Sequence, residues 1–278
     1  MLTLRMTPSH FHTVALLRRC GNFALLRNRH ADGYIVSMHQ AGTHWLKFML
    51  ANALAEHYAL PPPSYNHAND IIGGPKDTVS YRHIPRILSS HSLPHPLLHY
   101  PAVHKQFKLP RYVLLVRDLR SSLVSNFAKW QASYGVDFSV YLQGCPFGKR
   151  FNADIWWNFE FLNAWSDVRR RCHTEVLLIR YEDLQSDTLA QMRRVAEHLR
   201  LPFSDECMIN AVGASTKEAM ARRHDPARPE GEIRESGRPA GSYFDPSDRN
   251  VFSDLCARFL RNHFGYDFSR WESPDNSS

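Results

Sequence analysis

The sequence predicts an α/β fold, a single domain whose central parallel sheet is flanked by helices. Three observations carry that expectation. Four short apolar segments each end in a polar turn rich in chemically useful side chains. Three of those turns lead into residues with helical spacing. The chain has 278 residues, 43% hydrophobic and 22% charged, enough to bury a sizeable core. Strand–turn–helix repetition implies parallel strands with helices on their faces. In such sheets ligands sit outside the carboxyl ends of the strands, so the four turns should share one crevice.

Taken in chain order, Phe11–Leu26 reads as a basic helix, either packed on the domain or lying on a membrane surface. Tyr34–Met38 is an apolar strand followed by a Gly turn. Leu46, Met49, Leu50, Ala53 and Leu54 then mark a helix over Trp45–Tyr58. Pro61-Pro62-Pro63 through Lys76 is a loop. Arg86–Ser90 is the second strand, ending at His91, and Pro94, Pro96 and Pro101 make the next stretch irregular. Tyr112–Val116 is the third strand, leading through Arg117-Asp118 into a helix over Leu119–Trp130. Phe151–Arg171 is a long helix whose aromatic residues, including Trp156, Trp157, Phe159, Phe161 and Trp165, belong to the core. Val176–Ile179 is the fourth strand, closed by Tyr181-Glu182-Asp183, with a helix over Asp187–Leu199. Arg222–Pro246, rich in Pro, Gly, Arg and Glu, is a long functional loop. Val251–Asn262 is the closing helix. The single domain is expected to have its core at about 33–268, a helical extension at 1–32, and a disordered end at 274–278.

Composition narrows the function. A formal net charge of +7 favours anionic partners such as nucleotides or anionic lipid surfaces. No dedicated nucleic-acid stripe stands out, and a nucleic-acid partner is not expected. The five cysteines, Cys20, Cys145, Cys172, Cys207 and Cys256, form no C-x-x-C pair, so neither a disulfide framework nor a zinc ribbon is indicated. A reducing, cytoplasmic compartment fits, with peripheral membrane contact through the basic N-terminus as a second reading. No apolar run reaches the roughly 18 residues of a membrane span.

The turn after the first strand, His39-Gln40-Ala41-Gly42-Thr43-His44-Trp45, is the most informative segment. A loop between a strand end and a helix start aims free N–H groups and the positive end of a helix dipole at one spot, which suits phosphate or sulfate. It is not a Walker A loop, because G-x-x-x-x-G-K-[ST] is absent. His91 stands at a strand terminus facing the same crevice, and neutral imidazole can take a proton from a hydroxyl. Arg117 can hold a phosphate through paired donors, with Ser125 two helical turns on; an Arg117–Asp118 surface pair is the alternative. Glu182 and Asp183 read as structural, with Asp183 or Ser186 capping the next helix. His95 and His99 are four apart, but Pro94 and Pro96 argue against the helix a metal pair would need, and no metal is expected.

Together these residues resemble the sulfotransferase family, which uses 3′-phosphoadenosine 5′-phosphosulfate, over about Gly33 to Phe268. The family's P-K-S-G-T-T-W loop is similar to His39–Trp45, its T-H-L-P segment to Ser90-His91-Ser92-Leu93-Pro94, its R-(x)7-S motif to Arg117–Ser125, and its Y-E-D-[LM] to Tyr181–Leu184. Two further segments resemble it more loosely. Ser215–Met220 looks like T-S-F-x-x-M near the adenine, with Lys217 in place of the stacking Phe. Arg234-Glu235-Ser236-Gly237 through Tyr243 looks like the loop over the 3′-phosphate, with one residue extra.

The resemblance implies a P-loop-like sulfotransferase fold and sulfuryl transfer from the phosphosulfate donor to a hydroxyl or amine. His91 would be the general base, with Gln40 and His44 completing the catalytic set. The donor would be held by Gln40, Ala41, Gly42, Thr43, His44, Trp45, Arg117, Ser125, Tyr181, Ser215, Met220, Arg234 and Gly237, with a small-molecule or lipid acceptor. The main departure is Gln40, where the family places a lysine; loss of such a contact costs roughly 3–4 kcal/mol of transition-state stabilisation. His44 or His39 would compensate if protonated, whereas Lys47 stands one helical turn too far in. A non-catalytic nucleotide-binding relative and a P-loop kinase remain the alternatives. Oligomeric state is open.

Overall fold

A computed structural model describes residues 6–78, 80–146, 150–227 and 239–271. Four strands form one sheet: β1 (Gly33–Ser37), β2 (Ile87–Ser90), β3 (Arg111–Val116) and β4 (Val176–Arg180). Their order is β2-β1-β3-β4 and every pairing is parallel, with Gly33 opposite both Ile87 and Arg111, and Tyr112 opposite Val176. Every residue of β1 is buried, as is β3 from Tyr112 to Val116. Strands covered on both faces read as unbroken apolar runs, which is why the sequence revealed them. From β1 the chain passes to β2 on one side and later to β3 on the other. That reversal opens a crevice between the carboxyl ends of β1 and β3.

The helices are α1 (Pro8–Cys20), α2 (Ala24–Arg27), α3 (Thr43–His57), α4 (Pro101–Gln106), α5 (Leu119–Tyr134), α6 (Phe138–Gln143), α7 (Ile155–Arg171), α8 (Tyr181–Ser186), α9 (Thr188–Leu199), α10 (Asp205–Gly213), α11 (Lys217–Arg222) and α12 (Pro246–Phe259). The expected N-terminal helix is broken: α1 stops before Gly21, and α2 is a separate turn. It packs on the domain, with Phe11 against Trp156 and Phe259 at ring separations of 5.5 and 5.6 Å. Helix α7 starts at Ile155 rather than Phe151, because the Asp154 carboxylate accepts from the N–H groups of Trp156 and Trp157. Its aromatic residues join the core, with Trp165, Phe159 and Phe161 fully buried.

Helix starts shift for similar reasons elsewhere. Asp187, not Asp183 or Ser186, caps α9 by accepting from Ala190 N–H at 3.1 Å. A capping box between Asp245 and Asp248 moves the start of α12 forward to Pro246. The irregular stretch after Pro94 holds a 3-10 turn (Pro96–His99) followed by α4. His95 and His99 serve structure there. His95 accepts from Leu97 N–H and meets the Cys20 carbonyl, and His99 Nε2 lies 2.7 Å from Arg19. All five cysteines are free. The expected tail 274–278 lies outside the described residues.

Candidate functional site

The loop from Met38 to Gly42 closes over the sheet edge. Gln40 has φ 59° and Gly42 φ 86°, both left-handed. Such residues in one tight turn swing successive N–H groups toward a common point, the arrangement that cups anions. At Gly42, which sits at the N-cap of α3, a Cβ would lie 2.7 Å from the Tyr181 ring. Glycine is required there twice over, by conformation and by the tyrosine packed against it.

Arg117 reaches back across the switch point from the end of β3. Its Nη1 donates to the Gln40 carbonyl at 2.9 Å, and its guanidinium lies 4.4 Å over the Tyr181 ring. Asp118 is not its partner. That carboxylate caps α5 through Arg120 and Ser121 N–H and pairs with Arg120 at 2.7 Å. Arg117 Nε is buried with no hydrogen-bond partner. A buried donor without an acceptor is costly, and an anionic oxygen is what satisfies it. Glu182 is structural, as expected: it accepts from Asp118 N–H at 3.0 Å and from the Tyr266 hydroxyl at 2.5 Å, pinning the β3–α5 turn to the C-terminal segment.

His91 lies across the loop. Its Nδ1 is 2.8 Å from the Ser37 carbonyl, which can only accept, so the proton is on Nδ1 and the lone pair on Nε2. Ser37 Oγ also bonds Thr43 Oγ1 at 2.7 Å, tying the imidazole to the first residue of α3. His39 stacks on His91 at 3.9 Å and meets Trp157 edge-on at 4.6 Å.

Burial depresses the His91 pKa; the Ser37 bond opposes this, while Lys47 and Lys129 add to it. Burial, then His91 and Lys129, press His39 down to about 2. His44 is pushed down by the protein packed round it, then by Lys47 and Lys129, although its solvent exposure tempers the effect. Both shifts disfavour the protonated form that either histidine would need in order to replace the charge missing at Gln40, His39 more firmly than the exposed His44.

Two lysines act electrostatically on this cluster of histidines, Lys47 among them although its place in the sequence sets it too far in. Lys47, buried on α3, follows Thr43 by one turn on the same face, and helical side chains lean back toward the helix start. Its Nζ donates to Asn69 Oδ1 at 2.5 Å. Asn69 N–H in turn donates to His67 Nδ1, whose Nε2 is 3.1 Å from Asp225. Lys129 follows Ser125 by one turn on α5, and its field acts on His39, His44 and His91 together.

The remaining expected residues divide. Trp45 N–H donates to the Ser215 carbonyl at 3.0 Å and its ring meets Tyr181 edge-on. Ser215 is buried and its hydroxyl donates to Ala211, so its side chain is turned inward. Met220 is buried, its carbonyl accepting from Asn66. Ala41 is fully buried and Ser125 half-buried. Arg234 and Gly237 lie outside the described residues. Ser37, Trp157 and Lys129 belong to the site but escaped notice. Ser37 had a visible signal, a hydroxyl ending an apolar strand. Trp157 reads as core, and Lys129 carries no signal of its own.

A parallel α/β sheet with a left-handed turn at its switch point, facing His91 held by the Ser37 carbonyl, belongs to a class of architecture suited to binding nucleotides or phosphates. Residues 31–228 match the family model for the sulfotransferase domain, so the chain belongs to the sulfotransferase-domain family. Comparison with curated protein sequences gives no match. Among solved structures, mouse sulfotransferase SULT7A1 complexed with PAP aligns over 88% of this chain and 91% of its own at 16% identity, TM-score 0.61. Retinol dehydratase in complex with retinol and PAP aligns over 89% of this chain and 88% of its own at 16% identity, TM-score 0.56. The same enzyme with androsterone and PAP gives 90% and 88% coverage, 17% identity and TM-score 0.53. At these identities the likeness is one of fold.

Proposed function

We propose that the protein transfers a sulfuryl group from 3′-phosphoadenosine 5′-phosphosulfate to a hydroxyl or amine of a small-molecule or lipid acceptor, with His91 as general base. The observation that carries this reading is the Ser37–His91 contact, which leaves Nε2 unprotonated beside the anion loop. The donor fits the residues present. The left-handed turn at Gln40 and Gly42 suits a phosphosulfate, and the partnerless buried Arg117 Nε suits a phosphate oxygen. Gln40, Ala41, Gly42, Thr43 and His44 would hold the sulfate and 5′-phosphate. Arg117 and Ser125, with Arg234 and Gly237, would hold the 3′-phosphate. Trp45 and Tyr181 would orient the nucleoside, with Ser215 and Met220 supporting them from beneath. The donor supplies a sulfuryl group activated by its phosphate leaving group.

The chain's own work is positioning and charge control. His91 takes the acceptor's proton at Nε2, while the Ser37 carbonyl holds Nδ1–H and stabilises the imidazolium that results. Lys47 and Lys129 supply the positive charge that Gln40 does not. That two PAP-bound sulfotransferase-fold structures hold retinol and androsterone supports an apolar alcohol as one acceptor class.

A sulfate-transfer assay over a panel of acceptors tests this reading. Turnover that His91→Ala removes, with retained binding of adenosine 3′,5′-bisphosphate, is the expected result. Gln40 favours one other reading, a nucleotide-binding relative without turnover. Tight binding of the bisphosphate with no transfer to any acceptor would establish it instead.

A further inference from the structure

Helix α1 presents the wrong side to solvent for a helix that merely covers a domain. Its Arg19 is buried, donating from Nε to the Pro94 carbonyl at 2.9 Å. Its Leu17 is 67% exposed and Leu16 47%. The helix is fixed against the segment that leaves His91. Phe23 stacks on His95 at 4.7 Å, Asn22 donates to the Leu93 carbonyl at 2.9 Å, and His95 Nε2 meets the Cys20 carbonyl at 3.0 Å. Three apolar side chains of that segment, Leu97, Tyr100 and Phe107, are exposed, while Leu98 between them is buried. Of the nine large hydrophobic residues exposed among the described residues, six lie on these two segments: Leu16, Leu17, Phe23, Leu97, Tyr100 and Phe107.

Charge follows the same division. Residues 6–31 carry four arginines, residues 91–110 carry two lysines, and neither stretch contains an Asp or Glu. These six charges account for nearly all of the chain's formal +7. The excess positive charge is thus concentrated on two segments that pack together. Arg27, Arg29, Lys105 and Lys108 are exposed, and so is Arg18, which pairs with the buried Glu160 at 3.7 Å.

We propose that α1, α2 and the segment from Leu93 to Lys108 form one docking face that seats on an anionic lipid bilayer surface. Apolar side chains interleaved with arginine and lysine, without acidic residues, are what such a surface selects: the apolar groups enter the acyl boundary and the cations meet the headgroups. A nucleic acid would use the cations but give the two outward leucines nothing to bury in. Among the described residues no helix is long and apolar enough to cross a membrane, so the contact is with the surface. Because the segment begins two residues after His91, the face adjoins the His91 side of the crevice. The proposal does not require the sulfotransfer reading to hold.

Co-sedimentation of the full chain with vesicles tests it. The protein should pellet with phosphatidylcholine vesicles containing phosphatidylglycerol, less so as salt rises, and only weakly with pure phosphatidylcholine. Leu17→Ser and Tyr100→Ser should each weaken binding about tenfold. Ile209→Ser, at an exposed apolar site elsewhere, should not, and circular dichroism confirms that all three variants fold. The idea is overturned by failure to pellet with phosphatidylglycerol vesicles at low salt, by equal pelleting with pure phosphatidylcholine, or by indifference to both Leu17→Ser and Tyr100→Ser. Binding to duplex DNA without binding to vesicles would overturn it in favour of a nucleic-acid contact.

Discussion

At the residue scale, the competence of His91 rests on which nitrogen holds its proton. The Ser37 carbonyl fixes that proton on Nδ1, and burial holds the ring neutral at pH values where a free histidine begins to charge. Since its pKa is lowered, the base form persists below pH ~6.5. The acid limb of kcat/KM for the free enzyme should therefore fall below that value, and His91→Ala should cost ~10²–10⁴ in rate with nucleotide affinity kept. An acid limb above pH 7 would speak against His91 as the base. Gln40 raises the complementary question of charge. With His39 and His44 held neutral, Lys47 is the strongest local candidate. Lys47→Met should lower kcat by ~10²–10³, as loss of an electrostatic contact to the transition state does, while Gln40→Ala costs less. If Gln40→Ala proves the more damaging, the charge does not come from Lys47. Because Lys47 also bonds Asn69, the bisphosphate-induced thermal shift of Lys47→Met must be measured beside its turnover to separate catalysis from packing.

At the element scale, the strand–loop–helix unit of β1 and α3 carries the anion site, and Gly42 is its pivot. Gly42→Ala would place a methyl group 2.7 Å from the Tyr181 ring at a φ of 86°. Tyr181 must move or the turn must change hand. Strain of this kind costs ~1–3 kcal/mol, and any motion of Tyr181 also releases the Arg117 guanidinium stacked on it. Both a lower melting temperature and a loss of bisphosphate affinity are expected from calorimetry and titration; loss of stability alone would mean that the turn is merely structural. This unit was legible in the sequence because three independent codes coincide there: an apolar run, a glycine and an amphipathic helix. Strands β1 and β3 were legible as unbroken apolar runs because they are buried on both faces. What was not legible had several causes, one being side chains that find partners far away in sequence. Short helices such as α8, α10 and α11 carry too few turns to show a period. The caps at Asp154 and Asp187 compete locally with other candidates. The neutrality of His39 and His44 follows from packing that no spacing rule reveals.

At the scale of the whole molecule, the histidines couple function to stability. Besides His39, His44 and His91, burial lowers the pKa of His12, His99 and His198, with His99 pressed down to about 4 chiefly by burial and then by Arg19. A histidine whose folded pKa lies below its unfolded value binds fewer protons when folded. The unfolded chain therefore gains protons first as pH falls, and stability declines. For these histidines the sign is fixed: their contribution to stability is full above pH ~6.5 and is lost progressively below it, toward about 4 for His99 and about 2 for His39, while Glu160, pushed up to about 7 by burial, contributes with the opposite sign. Each such group contributes at most about 1.4 kcal/mol per pH unit. A bound polyanion changes this balance selectively. It raises the pKa values of the histidines beside the anion loop, His39, His44 and His91, and leaves His12, His99 and His198 untouched. Binding of adenosine 3′,5′-bisphosphate should then take up protons, and its stabilising effect should grow as pH falls from 7.5 to 5.5. Thermal melts at both values, with and without the bisphosphate, measure this directly, and calorimetry in buffers of different ionisation enthalpy counts the protons. Equal stabilisation at the two pH values, with no proton uptake, would show that the nucleotide binds away from the His39–His91 stack, and the assignment of the anion loop would fall with it.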